Sequence, residues 1–434
     1  MKSNPTAGAL FALSAILASG TAPAQNPETS AALPKGMRLV WADEFNEKRL
    51  DRSKWTTNYY SQLNFWGKDH FEAFRKDSLP QPYMEFTDSS VILKVDDRSP
   101  ESPFWESGRK ISSIQTYDWN ADRNLMPGNI GGYFEARIRR NAAEGTKGLN
   151  TAFWFDSPGP DSRYYLEQGS ETADSMQGWR PRGQVFEIDL CEYINTEIVL
   201  HGNVAPDGKF EGNIGHFVIP GDYRNRWVRH GMLWTPAGLK FYIDGRLVAE
   251  SWDPDAIKSP NHAMVMFFGA YGHDGMTSIE VDYVRHYQWG LDETNELPNG
   301  GFEYDGASFP WEGGGRISPE AARNGRYGLV LAPGESVSQY VYADPSRPYE
   351  VSFYAKGRAG RLHAEAANIR PVSGEVVPAG SASDDFRLGR RFRPCRFSIV
   401  TPADYPGHKT TVRITFTNNG KEAVSLDDIV LSKR

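Results

Sequence analysis

From Met37 to about Trp289 almost nothing in the chain keeps a helical period for three turns; short apolar runs alternate instead with clusters of Gly, Pro, Asn and Asp. Successive side chains of an extended chain point to opposite faces, so runs of this kind fold as strands. The clearest are at 91–95, 133–138, 239–243 and 279–284, and Asp244-Gly245 after the third carries the signal of a two-residue hairpin turn. Roughly 250 residues of this texture exceed what one strongly twisted open sheet holds, so a two-sheet sandwich is expected.

After Trp289 the chain turns polar, with Gly290, Asp292, Glu293, Asn295, Glu296 and Pro298. This places a linker at 290–297 between a first domain over 36–289 and a second over 298–434. The second keeps the strand-and-turn texture, with runs at 349–354 and 411–416, and is expected to be a smaller β-sandwich. With so little in the linker that packs, a chain ending near Trp289 is expected to fold alone. No repeat of 20 to 50 residues points to a propeller or solenoid.

Lys and Arg total 48 against 55 Asp and Glu, a net charge of −7 without a basic block, which excludes a nucleic acid partner. Lys2, the apolar stretch from Ala7 to Ala18 and Ala22-Pro23-Ala24 read as a signal peptide over 1–24, cleaved before Gln25. The apolar stretch is shorter than the roughly 20 residues of a spanning helix, and no later segment could span a bilayer. A secreted protein, extracellular or periplasmic, is therefore expected, with no membrane partner after cleavage and acting as a monomer. Cys191 and Cys395 fall in different domains and are expected to be buried free thiols.

The chemistry concentrates in Val185-Phe186-Glu187-Ile188-Asp189-Leu190-Cys191-Glu192-Tyr193-Ile194, where three carboxylates are interleaved with residues apolar enough for a core. Alternation places Glu187 and Asp189 on one face, with Phe186, Ile188 and Leu190 on the other. Glu192 is out of phase by one residue. A β-bulge at Leu190-Cys191 would return it to the face of the other two acids, and bulges are common beside active sites. Crowded carboxylates are relieved when one keeps its proton. Glycoside hydrolysis uses that asymmetry: one carboxylate attacks the anomeric carbon and a partner about 5 to 5.5 Å away protonates the leaving oxygen, with retention of configuration. The plain alternative is an edge strand with a solvated acidic face. Trp154, Trp179 and Trp234 argue against it as candidate substrate-binding platforms for pyranose rings.

Glu187-Ile188-Asp189-Leu190-Cys191-Glu192 resembles the Glu-x-Asp-x-x-Glu signature of glycoside hydrolase family 16, in its bulged form. Leu39 to Phe45 with Leu50-Asp51 and Lys54-Trp55, Gly132 to Arg137, Thr151 to Trp154, Trp227 to Trp234 and Val281 to Arg285 follow in the order that family shows. The resemblance covers about residues 36 to 289. It implies an all-β fold, a concave, concanavalin-like β-jelly-roll sandwich whose open cleft cuts internal bonds of β-linked polysaccharides. It also implies Glu187 as nucleophile, Glu192 as general acid/base and Asp189 as the residue that holds and tunes the nucleophile. His201, on the next run, is expected across a hairpin from these acids, in the cleft. No cofactor is implied for catalysis.

The chain departs from the family where substrate is decided. Laminarin-cleaving members usually carry Trp-Pro-Ala-Phe-Trp where Asn150-Thr151-Ala152-Phe153-Trp154 stands, and commonly a Met in place of Cys191, so galactans of agar, porphyran or carrageenan type stand beside β-glucans such as laminarin. The aromatic stretch from Tyr59 to Phe74 and a polar insertion from Asp156 to Gly183 are the expected subsite loops. In the second domain, Asn299 to Glu303, Trp311, Gly325 to Leu329, Tyr349 to Ala355 and Leu426 to Ile429 resemble carbohydrate-binding jelly rolls. That resemblance implies a structural calcium at Glu303 and Asp428, and the first domain's counterpart candidate is Asp282; hard oxygen ligands suit the ion. Two other functions fit the same shell: an inactive carbohydrate-binding protein, and a transglycosylase. A lectin gains nothing from clustered carboxylates that repel one another, whereas a transglycosylase uses the same residues as a hydrolase and differs in whether sugar or water resolves the intermediate.

Overall fold

Alternation between Met37 and Trp289 resolves into two antiparallel sheets packed face to face. The computed structural model describes residues 32–57, 59, 81–102, 108–118, 120–121, 123–126, 128–141, 143–156, 184–193, 196–203, 212–404 and 407–434. The segment read as a signal peptide, most of the aromatic stretch 59–74, and the insertion beyond Asp156 lie outside the described residues. Among the described residues the helical element is a single 3-10 turn at Pro319–Ala321, and no helix is long and apolar enough to cross a membrane.

The first sheet runs in the order Arg246–Ser251, Gly238–Ile243, Trp227–Thr235, Gly132–Arg140, Asp274–Trp289, Val91–Val95 and Met84–Phe86, with Met37–Asp43 and Glu144–Lys147 also paired to Asp274–Trp289. The second has six strands: Gly212–Val218, Glu197–Asn203, Gln184–Glu192, Asn150–Asp156, Val265–Gly272 and Lys110–Gln115. Phe134, Ile138, Trp234 and Phe241 from one sheet meet Phe153, Phe155, Ile188, Leu200 and Phe268 from the other in one apolar core. The hairpin expected at Asp244-Gly245 is present, with φ of 49° and 81°; both central residues lie in the left-handed region that a tight hairpin turn demands.

Residues from 312 onward form two further five-stranded sheets. One orders Glu312–Gly313, Ser336–Ala343, Thr410–Asn418, Arg361–Ile369 and Val376–Arg387; the other orders Arg316–Ser318, Gly328–Leu331, Val424–Lys433, Pro348–Lys356 and Arg393–Val400. They enclose a second core containing Phe302, Phe353 and Phe416, and Trp311 is part of it. The all-β architecture expected from the sequence is borne out. Cys191 and Cys395 are free and buried, one in each core.

Within the segment 290–297, Gly290 to Thr294 are exposed, whereas its last three residues pack on the second sandwich. Leu297 is buried in the second core, Glu296 N–H donates to Leu431 O, and the Glu296 carboxylate receives Tyr349 Oη and Lys433 Nζ. Asp292 instead accepts from Thr294 and Asn295 inside the segment, so composition marked the joint but not the packing of its last three residues. The sandwiches also share buried contacts. Ile257 packs with Ala367 and Ile369, Val372 N–H donates to Ile257 O, and His262 stacks on His408 at 4.8 Å. Separating the first sandwich would expose these groups.

Candidate active site

The outer face of the six-stranded sheet carries the acids. Ile188 and Leu190 enter the core, so Glu187 and Asp189 point the other way. Glu187 is registered between Asp156 on one neighbouring strand and His201 on the other; Asp189 lies between Trp154 and Val199. The anticipated bulge is present. Asp189 opposes Trp154 and Cys191 opposes the adjoining Phe153, leaving Leu190 as the extra residue, and both Leu190 and Cys191 are buried in the core. The shift restores Glu192 to the outer face, where Asn150 Nδ2 donates to its Oε1 at 3.0 Å.

Donor atoms of Glu187, Asp189 and His201 lie within 4.8 Å of one another, and His201 Nε2 is 3.4 Å from Asp189 Oδ2. Burial holds Asp189 well above the ordinary carboxylate range, and the charges of Glu192 and Asp156 push the same way. Glu192 is raised too, chiefly by burial; the Asn150 donor and His201 oppose that rise, Glu197 adds to it and His216 opposes it. Carboxyls in such surroundings retain protons that exposed ones would have lost, the condition for a general acid at neutral pH.

Aromatic rings floor the site beside these acids. Trp154 stacks on Phe267 at 4.7 Å and meets Tyr271 edge-on at 5.5 Å, while Tyr59 covers both Trp154 and Tyr271. Gly269 makes the arrangement possible: a Cβ there would sit 1.9 Å from Tyr271 Oη. Trp154 is only 3% exposed, so it presents little ring to solvent.

Of the residues singled out from sequence, Glu187, Asp189, Glu192, His201 and Trp154 come together. Trp179 lies outside the described residues. Trp234 does not join them: it belongs to the opposite sheet, is fully buried against Phe134, and its Nε1 donates to Pro260 O and Tyr342 Oη. Its alternation phase turns it into the core, where a sugar cannot reach. The proposed calcium carboxylates are also engaged elsewhere. Asp282 pairs with Arg137 at 2.7 Å, Asp428 with Arg323 and Asn324, and Glu303 accepts the Arg326 and Tyr327 N–H groups. Among the described residues none of the three belongs to a cluster of three such donors.

Sequence reasoning missed Asp156 and Asn150. Asp156 was detectable, since two-residue alternation from Trp154 carries it to the same face. Asn150 entered only as a departure from a family pattern, because its partners Glu192 and Tyr193 are 42 and 43 residues away.

The site is thus three carboxylates, an imidazole and an aromatic floor on one outer face of a two-sheet sandwich. No family model matches the chain. Over 285 residues it is 22% identical to the glucan endo-1,3-beta-glucosidase A1 of Niallia circulans, covering 58% of this chain and 38% of that protein. It is 24% identical over 314 residues to the kappa-carrageenase of Pseudoalteromonas carrageenovora, covering 63% and 70% respectively. The chain thus spans well under half of the first relative and somewhat over two thirds of the second. Among solved structures it is similar to the GlcNAcα1-4Gal-releasing endo-β-galactosidase of Clostridium perfringens, with 18% identity, a TM-score of 0.42, and coverage of 74% of this chain and 81% of that one. The curated relatives bear out the resemblance to glycoside hydrolase family 16.

Proposed function

We propose that this protein is a retaining, endo-acting glycoside hydrolase that cleaves internal β-glycosidic bonds of a polysaccharide. The observation that carries the reading is the bulge, which places Glu192 on the same buried outer face as Glu187 and Asp189. Glu187 attacks the anomeric carbon as the bond to the leaving oxygen breaks, and Glu192 gives that oxygen its proton. Esterification removes the Glu187 charge, which lets the now ionised Glu192 take a proton from water; the hydroxide so formed displaces Glu187. Burial and the neighbouring acids favour the protonated form of Asp189, which limits the negative charge around the nucleophile.

The substrate is a β-glucan such as laminarin or an algal β-galactan, the two classes that the relatives' names span. The leader-like segment supports export to the periplasm or medium, and the second sandwich is proposed as a module that contacts polysaccharide. A reducing-end assay on laminarin, mixed-linkage glucan, agarose, porphyran and carrageenan tests the activity. New reducing ends on one of them, abolished by Glu187→Gln, are expected. Binding without cleavage on every polymer would favour the lectin reading, and products longer than the substrate would favour the transglycosylase.

A further inference from the structure

We propose that Asn150 is a positioning residue for proton transfer, holding the Glu192 carboxyl by one oxygen so that the other carries the mobile proton. This rests on the reading of Glu192 as general acid/base. Asn150 makes two bonds to consecutive residues: Nδ2 donates to Glu192 Oε1 at 3.0 Å, and Oδ1 accepts the Tyr193 N–H at 2.6 Å. The second bond fixes the orientation of the amide. A backbone N–H can only donate, so Oδ1 must face Tyr193 and Nδ2 must face Glu192. Nδ2 in turn cannot accept. A protonated Glu192 therefore carries its proton on Oε2, directed away from Asn150.

The backbone supports this clamp from the opposite side. Tyr193 and Thr196 have positive φ, 50° and 51°, conformations that need outside support in residues other than Gly. Arg140, buried below the turn, donates to Tyr193 O and Thr196 Oγ1. The peptide groups of Tyr193 are thus held by Asn150 through N–H and by Arg140 through C=O, and the carboxyl just before them inherits that fixed position. Asn150 has only two side-chain torsions and sits in the strand Asn150–Asp156, so little freedom is lost in holding it there.

The clamp also bears on the second half of the reaction, in which the same carboxyl must lose its proton. Asp189, Tyr193 and Tyr271 face Glu192, as do His201, Glu197 and His216 from the next two strands. Among these neighbours the Nδ2 donor stabilises the ionised carboxylate by a direct hydrogen bond, offsetting part of the burial that favours the proton.

The test compares kcat/KM for aryl β-glycosides of the oligosaccharide that the full-length enzyme releases, one with a 2,4-dinitrophenyl and one with a 4-methylphenyl leaving group. The first departs without a proton; the second requires one. Asn150→Ala is expected to lose about 100-fold on the 4-methylphenyl substrate and less than about 5-fold on the other, in line with what a general acid contributes. Asn150→Asp keeps the Tyr193 acceptor and the volume but turns an oxygen toward Glu192, so it should show the same selectivity if the alanine variant folds poorly. Equal loss on both substrates, or none, overturns the proposal. Glu192→Ala run alongside separates the two claims: if it too lacks selectivity, the acid/base reading itself fails, and if it alone is selective, only the role of Asn150 fails.

Discussion

Leu190 and Cys191 are consecutive in one strand, yet both side chains are buried in the same core. Two adjacent residues facing one way is what a bulge provides, and it alone brings Glu192 back beside Asp189. Deleting Leu190 should restore plain alternation, with Cys191 inward and Glu192 still outward. The deletion is expected to cost about 2–5 kcal/mol for the lost leucine while leaving turnover well above that of Glu192→Gln. Urea melts and the reducing-end assay check both; turnover no better than that of Glu192→Gln would mean that the bulge aims the carboxyl as well as setting its face.

Glu187→Gln and Glu192→Gln should each lose at least about a hundredfold in turnover with an unchanged melting temperature or a higher one, since the amide keeps the volume and removes the charge or proton. Azide should restore Glu192→Ala on an activated aryl glycoside and do little for Glu187→Ala. The reverse pattern would exchange the two roles.

Asp189 has a raised native pKa, so above pH about 4 the unfolded chain releases a proton that the native state keeps. Stability is therefore lost as pH rises through that region. Asp189→Asn should raise the melting temperature at pH 7, leave it nearly unchanged at pH 3, and lower activity. A melting temperature that drops equally at both pH values would show that Asp189 is a net structural support.

Two buried histidines act with the opposite sign. Burial lowers His230 to about 3 and His286 to about 4, so between pH 6.5 and 4 the unfolded chain binds protons that the native state refuses. Stability should fall over that interval, by roughly 3 kcal/mol for His286 from its shift of about 2.5 pH units. Denaturant titrations of the wild type and His286→Gln at pH 7 and pH 4.5 check this; an equal loss in both proteins would remove His286 as a source.

Trp234 of the first core is joined to Tyr342 of the second sandwich, and Ile257 to Ala367 and Ile369. Truncation after Trp289 strips these partners, so the shortened protein is expected to melt well below the full chain or to aggregate. Calorimetry of the full chain should show one cooperative transition. Two separated transitions, the upper one matching the truncated protein, would mean that the interface contributes little to stability.

Much of this molecule is local and therefore legible in order along the chain. Period-two runs, the Asp244-Gly245 turn and the acids at 187, 189 and 192 with the half-step between them are properties of neighbouring residues, and neighbours set which face a strand residue takes. The sequence determined that three carboxylates would share a face if the strand bulged. Tertiary structure decided the rest, because register joins residues far apart in the chain. It set Asn150 against Glu192, registered His201 opposite Glu187, turned Trp234 inward, and paired Asp282 and Asp428 with Arg137 and Arg323. It also packed Glu296 at the end of the polar segment, since a charged residue reads as solvent-facing until a partner such as Lys433 or Tyr349 is placed beside it. Alternation fixes the direction of a side chain relative to its own strand; only the packing of one sheet on another decides what that direction meets.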